Sequence, residues 1–332
     1  MNKKERFMNA IQGKPVDRVP VSFYAQLPFL VDNGVSNYVN WVKNTNMDGI
    51  CIEADNFYTL LWPGRLKTMS DWKKLRPFKK DDYYIAGQVD RARRVAEELK
   101  GDVAVYYMVF TPFSTMKRTI GTVGYEDVDR QGENSVVMNL WRENKKDFEQ
   151  VMEVLEESNN LLMDQLKEHS GIDGLFVSVQ SGEKWRHTAE EYRKYQTPFD
   201  KRLISYAASK YDTNILHLHT FAHDEINYEC WKDYEYNTIN WRTSNSFGVG
   251  LKGGRDYFKP GTTLMGGFDN TPTGILRKGS EKEIKSFTKK LISEAGDEKL
   301  ILSCDCSLEG NPPDEHLRWV VEASEEYSQE KK

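Results

Sequence analysis

Short apolar stretches rich in β-branched and aromatic residues recur along the chain, and each is bounded by glycine, proline or polar residues. Runs of this length and composition are typical of buried strands. The pattern predicts eight strands, over residues 19–24, 49–54, 103–110, 174–179, 214–219, 238–242, 263–268 and 300–304.

Amphipathic segments lie between most of the predicted strands. In residues 147–167, for example, Val151, Leu155 and Leu162 are spaced to share one helical face. Similar segments predict helices over residues 4–12, 88–99, 189–211 and 281–295. No long helix is predicted between the fifth and sixth strands.

The alternation of strands and helices indicates parallel β/α units, and therefore an α/β protein. Eight such units can close into a (β/α)8 barrel (a TIM barrel), and 332 residues suffice for one with insertions. We expect a single domain that spans residues 1–332. An open, doubly wound sheet is the alternative architecture.

The barrel prediction directs attention to the carboxyl ends of the strands, where the functional sites of this architecture lie. Polar residues that end the predicted strands are therefore the candidate site residues. They are Glu53, Asp55, Thr111, Gln180, Ser181, His217, His219, Asn240, Arg242, Asp269, Cys304 and Cys306.

Histidine and cysteine are concentrated at two of these strand ends. Side chains two residues apart on a strand point the same way, so His217 and His219 share one face. Cys304 and Cys306 share another face if the last strand extends that far. Mixed imidazole and thiolate ligation suits Zn²⁺. We expect His217, His219 and Cys306 to be the ligands, with Cys304 as a neighbour or a displaceable fourth ligand and His223 as a weaker candidate. The alternative is that these side chains only pack in the core.

Composition limits the classes of function. A formal net charge of −5 disfavours nucleic acid as the main partner. No apolar stretch reaches the length of a membrane helix, and no signal peptide is recognisable. The four cysteines are too few for a disulfide framework. We therefore expect a cytoplasmic protein that acts on a small-molecule substrate and binds neither nucleic acid nor membranes.

Several segments occur in the order typical of one known family. They include the opening Lys-Glu-Arg and the Gly-Lys-Pro-Val-Asp-Arg-Val-Pro-Val run after it, a Phe-Thr-Pro-Phe-Ser loop and a Met-Gly-Gly-Phe-Asp segment. The sequence resembles the uroporphyrinogen decarboxylase superfamily over nearly its whole length. The matching segments are residues 4–21, 110–114 with Gly121, 189–192, 198–199, 265–269, 279–281, 301–306 and 312–321. The resemblance implies a barrel, and because family members are often dimers it implies a homodimer.

Two branches of this superfamily differ in chemistry. True porphyrinogen decarboxylases carry Arg-Gln-Ala-Gly-Arg-Tyr after the first strand, whereas residues 24–29 here read Tyr-Ala-Gln-Leu-Pro-Phe, without arginine. A polycarboxylate substrate would therefore lack its bidentate partners. The zinc-dependent, corrinoid-linked methyltransferases carry His-x-Cys and a later Cys, at the positions of His217, His219 and Cys306. The resemblance is closer to this branch, with one thiolate replaced by imidazole.

The resemblance thus implies a zinc-dependent methyltransferase-like enzyme that activates a thiol or a methylated small-molecule substrate at the barrel mouth. Its methyl donor would be a corrinoid bound to a partner protein. One alternative is a decarboxylase or C–S lyase of the same superfamily that acts on a small carboxylic acid. Another is a non-catalytic protein that binds a corrinoid or tetrapyrrole.

Two carboxylates at the end of the second predicted strand are candidate catalytic groups. Asp55 matches the substrate-binding aspartate of the porphyrinogen decarboxylases, and Glu53 lies two residues before it on the same face. We expect one of them to act as acid/base or polar anchor. The alternative is a salt bridge to Arg242 or another residue of the mouth.

Four further residues are candidates for substrate binding. Arg242 would clamp a substrate carboxylate, with a structural ion pair as its alternative. Asp269 would orient the substrate, with helix capping as its alternative. Tyr106 and Gln180 are expected to line the pocket wall.

Overall fold

A computed structural model describes residues 1–25, 27, 34–53, 66, 68–121, 136–220, 224–244, 248–310 and 312–331. In this part of the chain seven parallel strands form one sheet, and each strand pairs with the next along the sequence. The strands are β1 (Gly49–Ile52), β2 (Ala104–Phe110), β3 (Gly174–Val179), β4 (Ile215–Leu218), β5 (Thr238–Trp241), β6 (Thr263–Phe268) and β7 (Leu300–Cys304).

Helices lie in most of the connections between the strands, as is usual for parallel pairing. Ser280 and Thr188 begin two of them with capping boxes, in which the side chain of the cap residue and a glutamate three residues later satisfy each other's backbone N–H groups. In the described residues the helices are α1 (Lys3–Ile11), α2 (Gly34–Thr45), α3 (Met69–Trp72), α4 (Tyr83–Leu99), α5 (Pro112–Gly121), α6 (Val136–Glu143), α7 (Lys145–His169), α8 (Ala189–Tyr195), α9 (Thr197–Lys210), α10 (Leu251–Tyr257), α11 (Ile275–Lys278), α12 (Glu281–Ala295) and α13 (Asp314–Glu330).

The single helix predicted over residues 189–211 is wrong, because the structure divides it into α8 and α9 at Gln196. Pro198 lies in the first turn of α9. Proline has no backbone N–H to donate and is tolerated only in the first turn of a helix. A new helix therefore begins at this position.

The first predicted strand, residues 19–24, forms only an isolated parallel bridge between Val21 and Leu302 of β7. Ser22 N donates to Leu302 O at 3.0 Å and Leu302 N donates to Pro20 O at 2.9 Å. On the other side, Asp48 N donates to Val21 O at 2.9 Å. A longer ladder does not form because Pro20 has no N–H and the Val21 N–H donates to the Asp48 carboxylate. The curled α/β sheet is compatible with a TIM-like barrel.

A buried ion-pair network holds this segment at the amino-terminal ends of the strands. The Asp48 carboxylate is fully buried and accepts hydrogen bonds from Arg6 Nη1 at 2.7 Å and Arg18 Nη1 at 2.7 Å. Asp48 directly precedes β1. Its carboxylate therefore connects the start of β1 to α1, through Arg6, and to the segment after α1, through Arg18.

The strands and the helices around them bury one large apolar core, and a second cluster lies among α3 and α5 to α9. As predicted, the described part of the link between β4 and β5 contains no long helix, only a 3-10 turn at Tyr228–Cys230. None of the described helices has the length and apolarity needed to cross a membrane.

Candidate metal centre

Strand β4 supplies the two imidazoles. His217 lies within the strand, in register with Asn240 of β5, and is buried. His219 follows the strand, but its backbone N–H donates to Val179 O at 2.9 Å and so continues the ladder with β3. Because side chains alternate along an extended segment, the two rings lie on the same face, with centroids 5.7 Å apart.

The turn after β7 supplies the thiol. Asp305 is buried and anchors this turn by accepting hydrogen bonds from the backbone N–H groups of Thr243 at 2.9 Å and Ser244 at 3.0 Å, and from both hydroxyls. With the turn held in this way, Cys306 Sγ lies 3.3 Å from His219 Nδ1 and 3.8 Å from His217 Nε2.

The three side chains fit a metal ion. One ligand atom from each of His217, His219 and Cys306 lies within 4.8 Å of the other two. For tetrahedral zinc, with bonds of about 2.05 Å to nitrogen and about 2.3 Å to sulfur, ligand nitrogen and sulfur are separated by about 3.6 Å. The observed separations of 3.3 and 3.8 Å bracket this value. Two imidazoles and one thiolate are a donor set that Zn²⁺ favours, and three protein ligands are typical of a catalytic site.

Burial sets the charge of the ligands. It lowers the pKa of His217 to about 3, although the hydrogen bond to Asn240 opposes the shift. Burial also raises the pKa of Cys306 to about 11. The positive charge of Arg242 opposes this shift, and the negative charge of Glu53 adds to it. Both groups are therefore neutral near pH 7 without a cation. A divalent ion would supply the charge that favours the thiolate.

Behind His217 lies a set of hydrogen bonds centred on Asn240. Asn240 Oδ1 accepts from His217 Nδ1 at 2.6 Å and from Tyr24 OH at 2.9 Å. Asn240 Nδ2 donates to Met265 O and Cys304 O, both at 3.0 Å. Asn240 was predicted to lie at the rim, without a role of its own. The signal that could have indicated a role is that Asn240 is the single amide side chain in the buried strand segment Thr-Ile-Asn-Trp.

The comparison with known families decides what the chain is related to. The sequence model of the uroporphyrinogen decarboxylase (URO-D) family matches residues 62–327. The chain belongs to the URO-D family. The resemblance read from the sequence is therefore confirmed at the level of the family.

Solved structures share the fold of this URO-D chain at low sequence identity. A methyltransferase from Methanosarcina mazei is 14% identical with a TM-score of 0.68, and the alignment covers 98% of this chain and 99% of that one. A B12-independent methionine synthase from Shewanella sp. W3-18-1, in complex with selenomethionine, is 12% identical with a TM-score of 0.57 and coverage of 95% and 98%. No curated protein sequence matches the chain.

Cys304 lies apart from the three ligand atoms in this URO-D chain. Strand β7 ends at Cys304, so Cys304 and Cys306 do not share one face of a strand. Cys304 is buried, with Sγ 3.8 Å from Tyr24 O, and burial raises the pKa of its thiol. Among the described residues, Cys304 is therefore not part of the group of three converging ligand atoms.

Of the candidate acid/base pair, Glu53 is the one the structure describes. It follows β1, is buried, and its Oε1 accepts a hydrogen bond from the hydroxyl of Ser307, the residue after Cys306. Glu53 is therefore at the same rim as the candidate ligands. Asp55 and His223 lie outside the described residues.

Arg242 is at the rim. It does not form an ion pair with Glu53, which was the expected alternative to a role in substrate binding. Its Nε and Nη2 donate to Thr220 O at 3.1 and 3.0 Å, and Nη1 donates to Asn270 Oδ1 at 2.8 Å. The guanidinium is buried, and both acceptor oxygens are neutral.

The other two rim candidates differ in how their polar atoms are used. Gln180 follows β3 and is buried, and its Oε1 has no hydrogen-bond partner in the described part of the chain. Asp269 accepts from Thr271 N at 2.9 Å and from Thr271 Oγ1 at 3.0 Å, so its carboxylate stabilises the turn after β6.

The expectation that Tyr106 lines the pocket wall does not agree with its position. Tyr106 is near the start of β2, in register with Gly174 at the start of β3. Its ring packs on Phe7 of α1 at 5.5 Å, and its hydroxyl lies 3.7 Å from Met8 Sδ. Tyr106 is thus at the amino-terminal end of the strands, opposite the rim, and packs in the core.

Proposed function

We propose that the protein is a zinc-dependent, methyltransferase-like enzyme that activates a thiol or a methylated small-molecule substrate at the rim of the sheet. The observation that carries this proposal is the convergence of ligand atoms from His217, His219 and Cys306 within 4.8 Å. Membership in the URO-D family and the fold shared with a methyltransferase and a methionine synthase support it.

The proposal includes the architecture of the site. We assign residues 1–332 to one closed (β/α)8 barrel domain, with residues 19–24 as its first strand. Hydrogen bonds on both sides of Val21, to β7 and to the residue before β1, support this assignment. Closure brings the ends of β4, β7 and β1 around one opening, where a substrate can contact all of them.

Zinc bound by these residues would supply Lewis acidity, which lowers the pKa of a thiol or polarises a thioether sulfur. Three side chains of the chain itself prepare the site for this chemistry. His217 and His219 contribute neutral donors, and Cys306 contributes the single anionic one. The buried aromatic rings of Tyr24 and Phe176, 6.0 and 5.3 Å from the His217 ring, limit the access of water to the imidazole.

Methyl transfer to a thiol requires one proton acceptor and one methyl donor. Glu53 is the proposed acceptor of the thiol proton, since it lies beside Ser307 at the rim. The proposed donor is a methylated corrinoid on a partner protein. Its carbon–cobalt bond breaks with the electron pair left on cobalt, and the methyl carbon forms a new bond to the substrate sulfur.

Two rim residues are proposed to bind the polar part of the substrate. Gln180 Oε1 has no hydrogen-bond partner among the described residues and is available as an acceptor. Arg242 carries a buried positive charge whose hydrogen bonds all go to neutral oxygens. Arg242 is therefore suited to an anionic substrate group.

The test compares the parent with two serine variants that differ only in which cysteine is changed. We expect the metal-stripped parent to bind about one zinc ion per chain in a titration against a chromophoric chelator. Cys306→Ser should abolish this binding, whereas Cys304→Ser should retain it, and circular dichroism checks that both variants fold. A parent without zinc affinity, or a Cys306→Ser variant that binds like the parent, contradicts the metal assignment.

The reaction is tested separately with methylcobalamin as the methyl donor and a panel of small thiols. The zinc-loaded parent should produce methyl thioether, and removal of zinc should abolish this production. Turnover that is unaffected by chelation contradicts a zinc-dependent reaction.

A further inference from the structure

We infer that Asn240 fixes the tautomer of His217, so that Nδ1 carries the proton and Nε2 presents its lone pair to the candidate metal site. Asn240 is thus a positioning residue that acts through His217. The part of this inference that concerns metal affinity rests on the proposed function, whereas the tautomer itself does not.

The orientation of the Asn240 amide follows from its two backbone partners. The nitrogen Nδ2 lies 3.0 Å from Met265 O and 3.0 Å from Cys304 O. Carbonyl oxygens only accept hydrogen bonds, so the group between them must be the NH₂. An amide rotated by half a turn would place its oxygen against two carbonyl oxygens, which repel it and offer it no hydrogen.

The proton on His217 follows from that orientation. With the amide fixed, Oδ1 faces His217 Nδ1 at 2.6 Å and Tyr24 OH at 2.9 Å. An amide oxygen can only accept, so both of these groups donate to it. A neutral imidazole has one N–H, and here it is on Nδ1. The other ring nitrogen, Nε2, is left unprotonated 3.8 Å from Cys306 Sγ.

The arrangement is built into the strand register. His217 of β4 pairs with Asn240 of β5, and Asn240 pairs with Met265 of β6. The side chain of Asn240 therefore contacts the histidine on one side and the backbones of β6 and β7 on the other. These backbones cannot rotate as side chains can, so the amide orientation does not depend on a flexible partner.

The consequence concerns metal affinity. A histidine binds a metal through an unprotonated ring nitrogen, and the partner of the other nitrogen decides which one that is. Without Asn240 the buried ring would sample both tautomers, and the one with a proton on Nε2 cannot bind. Loss of an outer partner of this kind typically weakens metal affinity about 10- to 100-fold.

The first measurement uses the metal-free, ¹⁵N-histidine-labelled parent. Two-bond ¹H–¹⁵N correlation spectra distinguish protonated from unprotonated ring nitrogens, and the spectrum of His217→Gln assigns the His217 signals. We expect Nδ1 to be protonated and Nε2 unprotonated. A proton on Nε2 in the parent overturns the inference. This arm needs neither metal nor a variant of Asn240.

The second measurement compares two buried asparagines. Asn240→Leu removes the partner of His217, whereas Asn159→Leu removes a buried amide of α7 that donates to Phe110 O and makes no hydrogen bond to an imidazole of the described residues. Asn240→Leu should give a mixture of His217 tautomers and bind zinc about 10- to 100-fold more weakly than the parent. Asn159→Leu should match the parent in both respects.

The outcomes separate the inference from the proposed function. If Asn240→Leu retains the tautomer of the parent, Asn240 does not fix it and the inference is wrong. A parent with the expected tautomer but no zinc affinity contradicts the proposed function and leaves the tautomer assignment standing. Equal zinc affinity in the parent and in a tautomerically mixed Asn240→Leu overturns the link between tautomer and affinity.

Discussion

At the scale of single residues, the buried carboxyl group of Asp200 connects the outer helices to the rim of the sheet through hydrogen bonds. It lies in the first turn of α9 and is fully buried, and its Oδ2 accepts from Tyr234 OH at 2.8 Å, Tyr192 OH at 3.0 Å and Gln196 Nε2 at 3.1 Å. Gln196 Nε2 also donates to the backbone oxygen of Gln180 at 3.0 Å, and the Tyr192 hydroxyl lies 3.2 Å from the same oxygen. The carboxyl therefore helps to hold the residue that follows β3.

Asp200 should make stability depend on pH in a specific direction. Burial raises its pKa from 3.8 to about 6, although hydrogen bonds from Tyr234 and others oppose the shift. Between about pH 4 and pH 6 the native state binds more protons at this site than the unfolded state. Its contribution to stability is therefore present below this interval and is lost as pH rises through it, by up to about 1.4 kcal/mol per pH unit.

The measurement is the free energy of unfolding of the parent and of Asp200→Asn across this pH range. Asparagine can keep one acceptor oxygen for the three donors, but it does not titrate. We expect the difference, parent minus variant, to fall between about pH 4 and pH 6 and to be flat above pH 7. A difference that is constant or rises over this interval would show that the native carboxyl is not protonated there.

At the scale of elements, the position of residues 19–24 depends on one buried carboxylate, that of Asp48. Asp48 accepts from Arg6 and Arg18 and from the backbone N–H of Val21, the residue that bridges to β7. Two guanidinium groups and one carboxylate are buried together. Removing the negative charge leaves the two buried guanidinium groups with only partly exposed carboxylate partners, Asp17 for Arg6 and Glu325 for Arg18, which is more costly than loss of an exposed ion pair.

Asp48→Asn is therefore expected to lower the free energy of urea unfolding by about 3–5 kcal/mol. Asp102→Asn is the matched control, because Asp102 pairs with Lys3 of α1 at 3.1 Å on the surface, and its loss should cost less than about 1 kcal/mol. Hydrogen exchange at the amides of Ser22 and Leu302 should accelerate in Asp48→Asn only. Similar effects of the two substitutions would contradict a role of Asp48 in holding this segment.

Element types were predictable from the sequence where local pattern decides them. Apolar runs predicted the seven strands of the sheet, and the spacing of apolar residues predicted α7 and α12. The first predicted strand forms only one bridge, because the Val21 N–H is taken by a residue 27 positions away. Such a partner is set by tertiary contacts, which the local pattern does not contain.

The same limit applies to the candidate site. The two-residue spacing predicted that His217 and His219 lie together, and chemistry suggested Cys306 as their partner. Tyr106 was misplaced because it was assigned to the pocket wall although it is only the fourth residue of the predicted strand 103–110, in the half that lies away from the rim. The role of Asn240 depends on the register of β4, β5 and β6, which becomes visible only in the assembled sheet.

At the scale of the whole molecule, a zinc ion at this centre would connect strands that are not neighbours in the sheet. His217 and His219 come from β4 and its end, whereas Cys306 follows β7, and β5 and β6 lie between them. A ligand that binds only the native arrangement stabilises it by mass action, by about 2.7 kcal/mol at a free concentration of 100 times Kd. The thermal midpoint should therefore rise with zinc concentration.

We expect zinc to raise the thermal midpoint of the metal-stripped parent by a few degrees at such a concentration, since a chain of this size unfolds with a large entropy change. His219→Ala should remove the shift, because the remaining two ligands no longer enclose the ion. His169→Ala is the matched control, since His169 ends α7 at the surface and is far along the chain from the three ligands. An equal shift in the parent and in His219→Ala would mean that zinc stabilises the protein from another position. A shift that is present in the parent and His169→Ala but absent in His219→Ala would place the stabilising ion between β4 and the end of β7.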